Sequence, residues 1–360
     1  MNLLRGLLCI VFLIAAPIPA AAMGNPLDLI ARPKAQKLET WLDRQLEEWK
    51  PEKCAPMLFG AYDVYASDDV MSPKVPPAID KVLLDSLMEA SPDVIVLYIR
   101  PKTYFSMKAR YDALIDGIRQ DGKKLFIGAR FTDEPKDFGT YEDALTEYAR
   151  NIIAAIKPDY FGIVIEPRTM EKQFGFKATD EQWVKLHDKI ATLSKQLSPG
   201  TKTVAGGHAG ELGFLRLVSD VKNLDIVGFD IYSNQGLDPE YSGYLGKGDV
   251  IGKTIDFVNA KGKETWILET WTAAMVSKVE QYMSVKEYMK PVDAKWVRAM
   301  GYYAQRHNMK AVVPFFTGKF FYYGRDPAEL RAALERKDRT SAFHEFKSMT
   351  GAAQCRTPGG

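Results

Sequence analysis

Short apolar runs alternate along the chain with longer amphipathic segments. Most of these runs are continuously apolar in their first part, which is typical of strands buried on both faces of a parallel sheet. The pattern predicts eight strands: Met57–Asp63, Asp93–Arg100, Lys124–Phe131, Tyr160–Glu166, Lys202–His208, Asp225–Tyr232, Thr265–Glu269 and Ala311–Phe316.

Segments with apolar residues three and four positions apart separate the strands and predict helices. These segments begin at Ala78, Tyr111, Tyr141, Thr179, Ala294 and Asp326. Thr179, with Gln182 three positions later, forms a capping box at one helix start. A further helix, beginning at Lys34, is predicted before the first strand.

Eight strands joined by helical crossovers in a chain of this length indicate an α/β protein with a (β/α)8 TIM barrel. An open, doubly wound sheet is the main alternative. Such a sheet usually has fewer strands and a glycine-rich first turn, and the sequence shows neither feature. No linker rich in proline, glycine or serine divides the chain, so the barrel is expected to be a single domain.

The first 22 residues have the layout of a secretory signal peptide. Arg5 precedes an apolar run from Gly6 to Ala16, and small residues at positions 20–22 suit an A-x-A cleavage site. We expect cleavage near Ala22 and a periplasmic or secreted protein, with an uncleaved N-terminal anchor as the alternative.

Removal of the signal peptide defines the remaining organisation. Residues 23–53 are expected to form an N-terminal extension with a helix, and residues 54–360 the barrel with its C-terminal tail. One of the 48 basic residues is lost with the signal, which leaves 47 against 46 acidic residues. This balance gives no electrostatic reason to expect binding to nucleic acid or to an anionic membrane. No later segment is apolar over 18 residues, so no membrane span is expected after cleavage.

Two cysteines remain in the mature chain, Cys54 before the first strand and Cys355 in the C-terminal tail. In an oxidising compartment they can form a disulfide that ties the two ends of the chain together. Two unpaired thiols are the alternative.

Polar side chains crowd the positions where the apolar strands end. The strand ends carry Asp63, Arg100, Arg130, Glu166, His208, Asp230, Tyr232, Glu269 and Phe316. In a (β/α)8 barrel these ends meet at one mouth, where the chemistry of such folds takes place. Convergence of many polar groups at one mouth indicates a binding pocket. Asp230 is interpreted as a residue that holds Tyr232 or an arginine.

Glu166 ends the fourth strand and Glu269 the seventh, so the two carboxylates are expected to meet over the mouth. Hydrolysis of a glycosidic bond with retention needs two carboxyl groups about 5–5.5 Å apart, one to protonate the leaving oxygen and one to attack the anomeric carbon. Their surroundings must differ, because one is neutral while the other is ionised, and Arg100 or Arg130 can keep one charged. A structural ion pair of Glu166 with Arg130 or Arg168 is the alternative.

This arrangement resembles the large clan of retaining (β/α)8 glycoside hydrolases, over roughly residues 54–337. In that clan the acid/base glutamate ends strand four and the nucleophile ends strand seven. The resemblance implies that Glu166 is the acid/base and Glu269 the nucleophile. It also implies that Tyr232 and Arg100 position the nucleophile and that His208 contacts the substrate or the acid/base.

The sequence departs from the clan at two positions. Many members have asparagine directly before the acid/base glutamate, where it binds the sugar 2-hydroxyl, and this chain has Ile165 there. A tryptophan often ends strand eight, where this chain has Phe315 and Phe316. An exported barrel that binds glycan without cutting it is therefore the alternative function. The substrate is expected to be a β-linked polysaccharide or oligosaccharide.

Aromatic residues near the strand ends suit sugar binding, because sugar rings stack their C–H faces on aromatic planes. This set consists of Tyr62, Tyr98, Phe131, Tyr232, Trp271 and Phe316. Trp271 and Phe316, together with Asp63, are expected to contact sugar. Packing beneath the loops is the alternative for about half of the set.

Metal and nucleotide chemistry have little support. Only one of the four histidines, His208, ends a strand, and no H-x-H or H-E-x-x-H occurs, so no zinc site is expected. The sequence leaves open a site in which carboxylates bind Ca²⁺ or Mg²⁺. The segment Gly246–Thr254 lacks a glycine that a phosphate loop needs and is interpreted as a loop after strand six. No organic cofactor is expected.

Overall fold

A computed structural model of the protein describes residues 28–53, 55–62, 81–129, 135–233, 244–246, 248–272, 283–323 and 327–350. Within these residues, eight parallel strands close into a barrel in the order β1 to β8. Their bounds are β1 Leu58–Tyr62, β2 Val94–Ile99, β3 Lys124–Ala129, β4 Tyr160–Ile165, β5 Lys202–His208, β6 Ile226–Tyr232, β7 Glu264–Trp271 and β8 Ala311–Pro314.

Closure of the sheet distinguishes this fold from an open, doubly wound sheet. β1 pairs with β2 on one side and with β8 on the other, where Leu58 lies opposite Ala311. Every position of β2 and β4 is buried, as expected for strands with the barrel interior on one face and helices on the other. The predicted single-domain (β/α)8 TIM barrel is therefore confirmed.

Helices follow most of the strands and surround the barrel. Within the described residues they are α1 Asp28–Trp49, α2 Lys81–Met88, α3 Pro101–Ser106, α4 Lys108–Gln120, α5 Phe138–Ile156, α6 Pro167–Phe174, α7 Asp180–Leu197, α8 Leu212–Val218, α9 Val250–Ala260, α10 Met283–Arg306, α11 Pro327–Glu335 and α12 Ser341–Thr350. The capping box predicted at the start of α7 is present, because Thr179 and Gln182 each accept the other's backbone N–H, at 3.2 and 2.8 Å.

Helix α9 corrects one interpretation of the sequence. The segment Gly246–Thr254, which the sequence predicts to be a loop after strand six, contains the start of this helix. Asp249 caps the helix by accepting the backbone N–H of Gly252 at 3.1 Å. The buried residues Ile251, Ile255 and Val258 then carry the helical periodicity.

Helix α1 lies before the barrel and packs along α10. It begins at Asp28, earlier than the predicted Lys34. Trp41 stacks on Trp296 with ring centres 6.3 Å apart, and Trp49 contacts Tyr303 at 4.9 Å. These aromatic contacts attach the N-terminal helix to the outside of the barrel. No helix in the described part of the chain is long and apolar enough to cross a membrane.

Side chains that point inward fill the barrel. They are Tyr62, Val94, Val96, Tyr98, Phe126, Tyr160, Ile165, Val204, Ile226, Trp266, Leu268, Ala311 and Val313. Gly128 of β3 leaves the space that Tyr98 occupies, because a Cβ atom at this glycine would stand 2.1 Å from Cε1 of the Tyr98 ring. The glycine therefore determines where the Tyr98 ring lies in the interior.

Candidate active site

A β-bulge lies directly before Glu269. Phe229 pairs with Ile267, whereas the next residue of β6, Asp230, pairs with Glu269, so Leu268 is an extra residue in β7. Side chains alternate between the two faces of a regular strand. One extra residue allows Leu268 and Glu269 to face the interior in succession.

Strand β4 has a matching irregularity before Glu166. Gly162 pairs with Val204 and Ile165 with Gly206, so β4 has one more residue than β5 over this stretch. The extra residue returns Ile165 to the barrel interior. Glu166 follows at once, where the strand reaches the mouth. Both predicted catalytic glutamates therefore come directly after a bulge.

Three tyrosine hydroxyls surround the Glu269 carboxylate. Oε1 accepts from Tyr98 at 2.9 Å, and Oε2 accepts from Tyr232 at 2.8 Å. The single hydroxyl proton of Tyr62 is shared between the carbonyl of Leu268, at 3.2 Å, and Oε1 of Glu269, at 3.4 Å. Only 6% of the glutamate is exposed. Hydroxyl donors on both oxygens orient the carboxylate and stabilise its negative charge.

Two of the tyrosines around Glu269, Tyr62 and Tyr232, are held in their protonated form. Burial is the main reason that the pKa of Tyr62 is raised well above its usual value, and the charges of Tyr98 and Glu269 add to the effect. Burial, followed by the charge of Glu269, raises the pKa of Tyr232 in the same way. These hydroxyls therefore act as hydrogen-bond donors throughout the physiological pH range.

Glu166 occupies an unusual backbone conformation at the end of β4. Its φ of 57° and ψ of 71° lie in the left-handed region, which is uncommon for residues other than glycine. Its backbone N–H donates to the carbonyl of Gly206 at 3.1 Å, and its Oε2 accepts from the hydroxyl of Thr169 at 2.8 Å. Such strained residues cluster at functional sites.

The alternative ion pair between Glu166 and Arg168 is not formed. The guanidinium of Arg168 instead binds the carboxylates of Glu171 and Asp180, and it donates to the carbonyl of Ala178 at 2.9 Å. Arg168 therefore stabilises the segment after Glu166 and leaves that carboxylate to other contacts.

Asp230 links the two glutamates electrostatically. It is 1% exposed and pairs in register with His208 on β5 and Glu269 on β7. Burial is the main cause that raises the pKa of Asp230 well above its usual value, and the charges of Glu269, Glu166 and Glu211 raise it further. One buried carboxyl group is thus influenced by both predicted catalytic residues, because both lie around the same mouth.

Two residues of this site were missed by sequence reasoning. Glu211 is 3% exposed and accepts the backbone N–H groups of Arg168 at 2.7 Å and His208 at 2.9 Å. Thr169 is the hydroxyl donor to Glu166. Glu211 stands three positions after His208, which is the spacing of a capping box, so a weak signal was present in the sequence.

Arg100 and His208 lie at the ends of β2 and β5, as predicted. Arg100 is buried, with 6% of its surface exposed. His208 is half-buried, and its Nδ1 accepts the backbone N–H of Gly210 at 2.8 Å. This contact leaves Nε2 to carry the proton of the neutral ring, and Nε2 lies 3.5 Å from Oε2 of Glu211.

Trp271 and Phe316 differ in their exposure. Phe316 is half-buried, and the Lys319 ammonium lies 4.8 Å from its ring centre. Trp271 has no exposed surface and packs against Phe320 with ring centres 5.8 Å apart. This position corresponds to the alternative of packing beneath the loops and does not support direct sugar contact by Trp271.

Several predicted residues lie outside the described part of the chain, and their roles stay predictions. They are Asp63, Arg130, Phe131, Cys54 and Cys355. Among the residues that the structure describes, no group of three or more histidine, cysteine, aspartate or glutamate side chains is arranged to hold a metal ion.

Comparisons with known proteins give likenesses in structure alone. No protein-family model matches the chain, and no curated protein matches it in sequence. Endoglucanase Cel5A of Thermotoga maritima, in a complex with mannotriose, superposes with a TM-score of 0.55 at 16% identity. The match covers 77% of this chain and 97% of Cel5A.

Two further solved structures have the same fold. The exo-β-1,4-mannosidase Op5Man5 of an Opitutaceae bacterium gives a TM-score of 0.56 at 12% identity, over 84% of this chain and 60% of that protein. Cellulose synthase subunit Z of Clostridioides difficile gives 0.52 at 14% identity, over 77% and 99%. At these identities the likeness establishes a shared barrel fold.

Proposed function

We propose that the protein is a glycoside hydrolase that cleaves a β-linked polysaccharide or oligosaccharide with retention of configuration. The observation that carries the proposal is the pair of glutamates at the mouth. Glu269 is buried and held by the hydroxyls of Tyr98 and Tyr232, whereas Glu166 is half-buried on a strained turn. Two carboxyl groups in different surroundings are what double displacement needs.

In the first half of the reaction, a carboxylate oxygen of Glu269 attacks the anomeric carbon. A bond forms between this carbon and the glutamate as the bond to the leaving oxygen breaks, and Glu166 gives its proton to that oxygen. In the second half, Glu166 accepts a proton from water as the water oxygen bonds to the anomeric carbon and the bond from this carbon to Glu269 breaks. The sugar is released with its original configuration, and Glu269 is again a carboxylate.

The surrounding residues have supporting roles in this proposal. Tyr232 donates to Oε2 of Glu269, and the bulge in β7 keeps the carboxylate facing inward. Thr169 fixes one oxygen of Glu166. Arg100, His208 and Phe316 are proposed to contact the substrate.

The structural likenesses support β-linked glucans or mannans as the substrate class. One Cel5A structure contains mannotriose, another is a complex with cellobiose, and Op5Man5 is named an exo-β-1,4-mannosidase. We therefore propose that this barrel binds a glycan of the same kind in its mouth.

Turnover of aryl β-glycosides and of soluble β-glucans and β-mannans tests the proposal. Glu269→Gln should reduce activity to background, and Glu166→Gln should lower kcat by about 10²–10⁴-fold on unactivated glycans. Glu171→Gln, a change at a buried glutamate of α6, is the matched control. NMR of the first-formed product should show the retained anomer.

Three results would contradict parts of the proposal. Activity that survives Glu269→Gln excludes this residue as the nucleophile. An inverted product excludes double displacement. Glycan binding without turnover favours the second candidate, a non-catalytic glycan-binding barrel. That candidate is supported by Ile165, whose hydrocarbon side chain lies in the interior packing where the clan often has asparagine.

We further propose that the protein is exported after removal of its first 22 residues. The support is the sequence pattern of the N-terminal segment, with one cation, an apolar run and small residues at the cleavage site. N-terminal sequencing of protein from fractionated host cells should find a start at Met23. A membrane-bound form that starts at Met1 would favour an N-terminal anchor instead.

A further inference from the structure

We infer that Glu211 is a positioning residue for Glu166, which it acts on through the backbone of the turn that follows Glu166. The inference rests on the proposed function. It concerns a carboxylate that belongs to neither of the two predicted catalytic strands, since Glu211 follows β5.

Glu211 joins the ends of β4 and β5. Its Oε1 accepts the backbone N–H of Arg168 at 2.7 Å, in the first turn of α6, and its Oε2 accepts the backbone N–H of His208 at 2.9 Å. The side chain of Glu211 has no exposed surface. A fully buried carboxylate that accepts two backbone donors holds both segments in a fixed relation.

The position of Arg168 explains why a remote carboxylate is needed there. The first backbone N–H groups of a helix have no partner within the helix, and the N-cap side chain usually accepts one of them. Glu166 is the N-cap residue of α6, yet its side chain makes no capping hydrogen bond. Pro167 has no N–H, so Arg168 provides the first donor of the helix, and Glu211 accepts it.

Because Glu211 accepts the backbone N–H of Arg168, the Glu166 carboxyl is not needed as the cap of α6 and is available for other contacts. Its Oε2 accepts from the side-chain hydroxyl of Thr169 in the first turn of α6, and not from a backbone N–H of the helix. The left-handed backbone of Glu166 is strained and persists only if neighbouring contacts hold it. Its carbonyl accepts backbone N–H groups within α6, its own N–H donates to Gly206, and the bond from Arg168 to Glu211 holds the residue two positions later.

The sequence around β5 makes room for Glu211. A Cβ atom at Gly207 would stand 3.0 Å from Oε2 of Glu211 and 3.2 Å from its Cβ, so a larger residue at this position would press on the carboxylate. The His208 ring is held beside it, with Nε2 at 3.5 Å from Oε2. Gly207 and His208 therefore leave a space that fits the carboxylate of Glu211.

The electrostatics agree with this geometry. Burial is the main cause that raises the pKa of Glu211, while His208 and the two backbone N–H donors lower it, and the charge of Glu166 raises it. A buried carboxyl is costly unless its hydrogen bonds are satisfied.

A series of aryl β-glycosides with leaving groups of different acidity tests the role. A good leaving group needs no proton, so loss of the acid affects it little, whereas a poor leaving group depends on the acid. If Glu211 positions Glu166, Glu211→Gln should lower kcat/KM about 10–100-fold for poor leaving groups. It should leave the most activated substrate nearly unchanged, as Glu166→Ala should.

The matched control is Glu171→Gln. Glu171 is also buried in this region and accepts the indole N–H of Trp183 at 2.9 Å. It accepts the guanidinium of Arg168 but not the backbone N–H of that residue, which goes to Glu211. Glu171→Gln should change kcat/KM by the same factor for every substrate of the series. Glu211→Asp keeps the charge and shortens the side chain, and it replaces Glu211→Gln if the latter does not fold by circular dichroism.

Each result either supports or overturns the inference. A steep dependence of kcat/KM on the acidity of the leaving group in the Glu211 variants supports it. A uniform loss across the series, or no loss, overturns it while the proposed function stands, provided that Glu166→Ala shows the steep dependence. If the wild-type protein turns over no substrate, the proposed function fails and the positioning role fails with it.

Discussion

The hydroxyl of Tyr98 on β2 donates a 2.9 Å hydrogen bond to Oε1 of Glu269 on β7. Strands β7, β8, β1 and β2 follow one another around the barrel, so this bond crosses the interior below the mouth. Tyr62 of β1 stacks on Tyr98 with ring centres 5.5 Å apart and reaches the same oxygen. Glu269 is therefore anchored from inside the barrel.

Replacement of Tyr98 by phenylalanine should remove one of the anchors and keep the shape of the side chain. A hydrogen bond to a charged group contributes about 1.5–3 kcal/mol, so kcat/KM should fall about 10–100-fold. The acidic limb of the pH–rate profile should also move to higher pH, because an O–H donor stabilises the charged carboxylate. Steady-state kinetics over a pH series measures both effects.

Tyr148→Phe is the control for this change. The hydroxyl of Tyr148 is also buried, but it donates to the backbone carbonyls of Ile99 and Gly128. Its loss should lower stability without moving the pH profile. Equal effects of the two replacements on activity would argue against a specific role for Tyr98.

Gly128→Ala should impair activity through Tyr98. The added methyl group would stand 2.1 Å from the Tyr98 ring, so the ring must shift and its hydrogen bond to Glu269 is disturbed. We expect a loss of kcat/KM similar to that of Tyr98→Phe, together with about 1–3 kcal/mol of stability. Gly162→Ala is the comparison, because its methyl group would approach Phe126 at 2.9 Å. A loss of stability alone at both glycines would contradict the mechanism.

The stability of the fold should depend on the protonation of His307. Its Nε2 lies 3.1 Å from Asp249 and its Nδ1 3.0 Å from Asp256, and the Tyr303 ring packs against it. Burial alone would lower the pKa of His307, but the hydrogen bonds and charges of the two aspartates outweigh it and raise the pKa. A raised pKa stabilises the folded state fully below about pH 6.5, and this contribution is lost as pH rises through the folded-state pKa.

Thermal unfolding at pH 5.5 and pH 8.5 measures this contribution. The His307→Gln variant should lose more stability at the lower pH than at the higher one. His344→Gln, a change at an exposed histidine of α12, serves as the control. An equal loss at both pH values would rule out the proposed linkage.

Thr179→Ala should destabilise the protein by about 1 kcal/mol, because α7 loses its N-cap. The hydroxyl of Thr179 accepts the N–H of Gln182, and serine at this position can accept it equally. Denaturant unfolding should therefore rank the wild type and Thr179→Ser together, above Thr179→Ala. A destabilised serine variant would point to the threonine methyl group instead of the cap.

The barrel could be predicted because most strands contain a short, continuous apolar run and are followed by a helix or a turn. Helix α9 escaped prediction because Gly252 and a loop-like start at Gly246 hide its periodicity. Its cap, Asp249, adopts a left-handed backbone that no local pattern announces. Tertiary packing of Ile251 and Ile255 stabilises the helix in this segment.

The candidate site could be predicted in part. Glu166 and Glu269 stand out because a charge at the end of an apolar strand is visible in the sequence. The role of Tyr98 is not visible, because it depends on a hydroxyl that reaches across from another strand. Glu211 is missed for a related reason, since burial of a carboxylate is a property of the folded chain.

The left-handed backbone at position 166 limits which residues evolution can place there without strain. Asparagine and glycine adopt this backbone more easily than glutamate does. Glu166→Asn should therefore raise thermal tolerance slightly while removing the proposed acid. Selection for heat resistance and selection for turnover would then favour different residues at this one position.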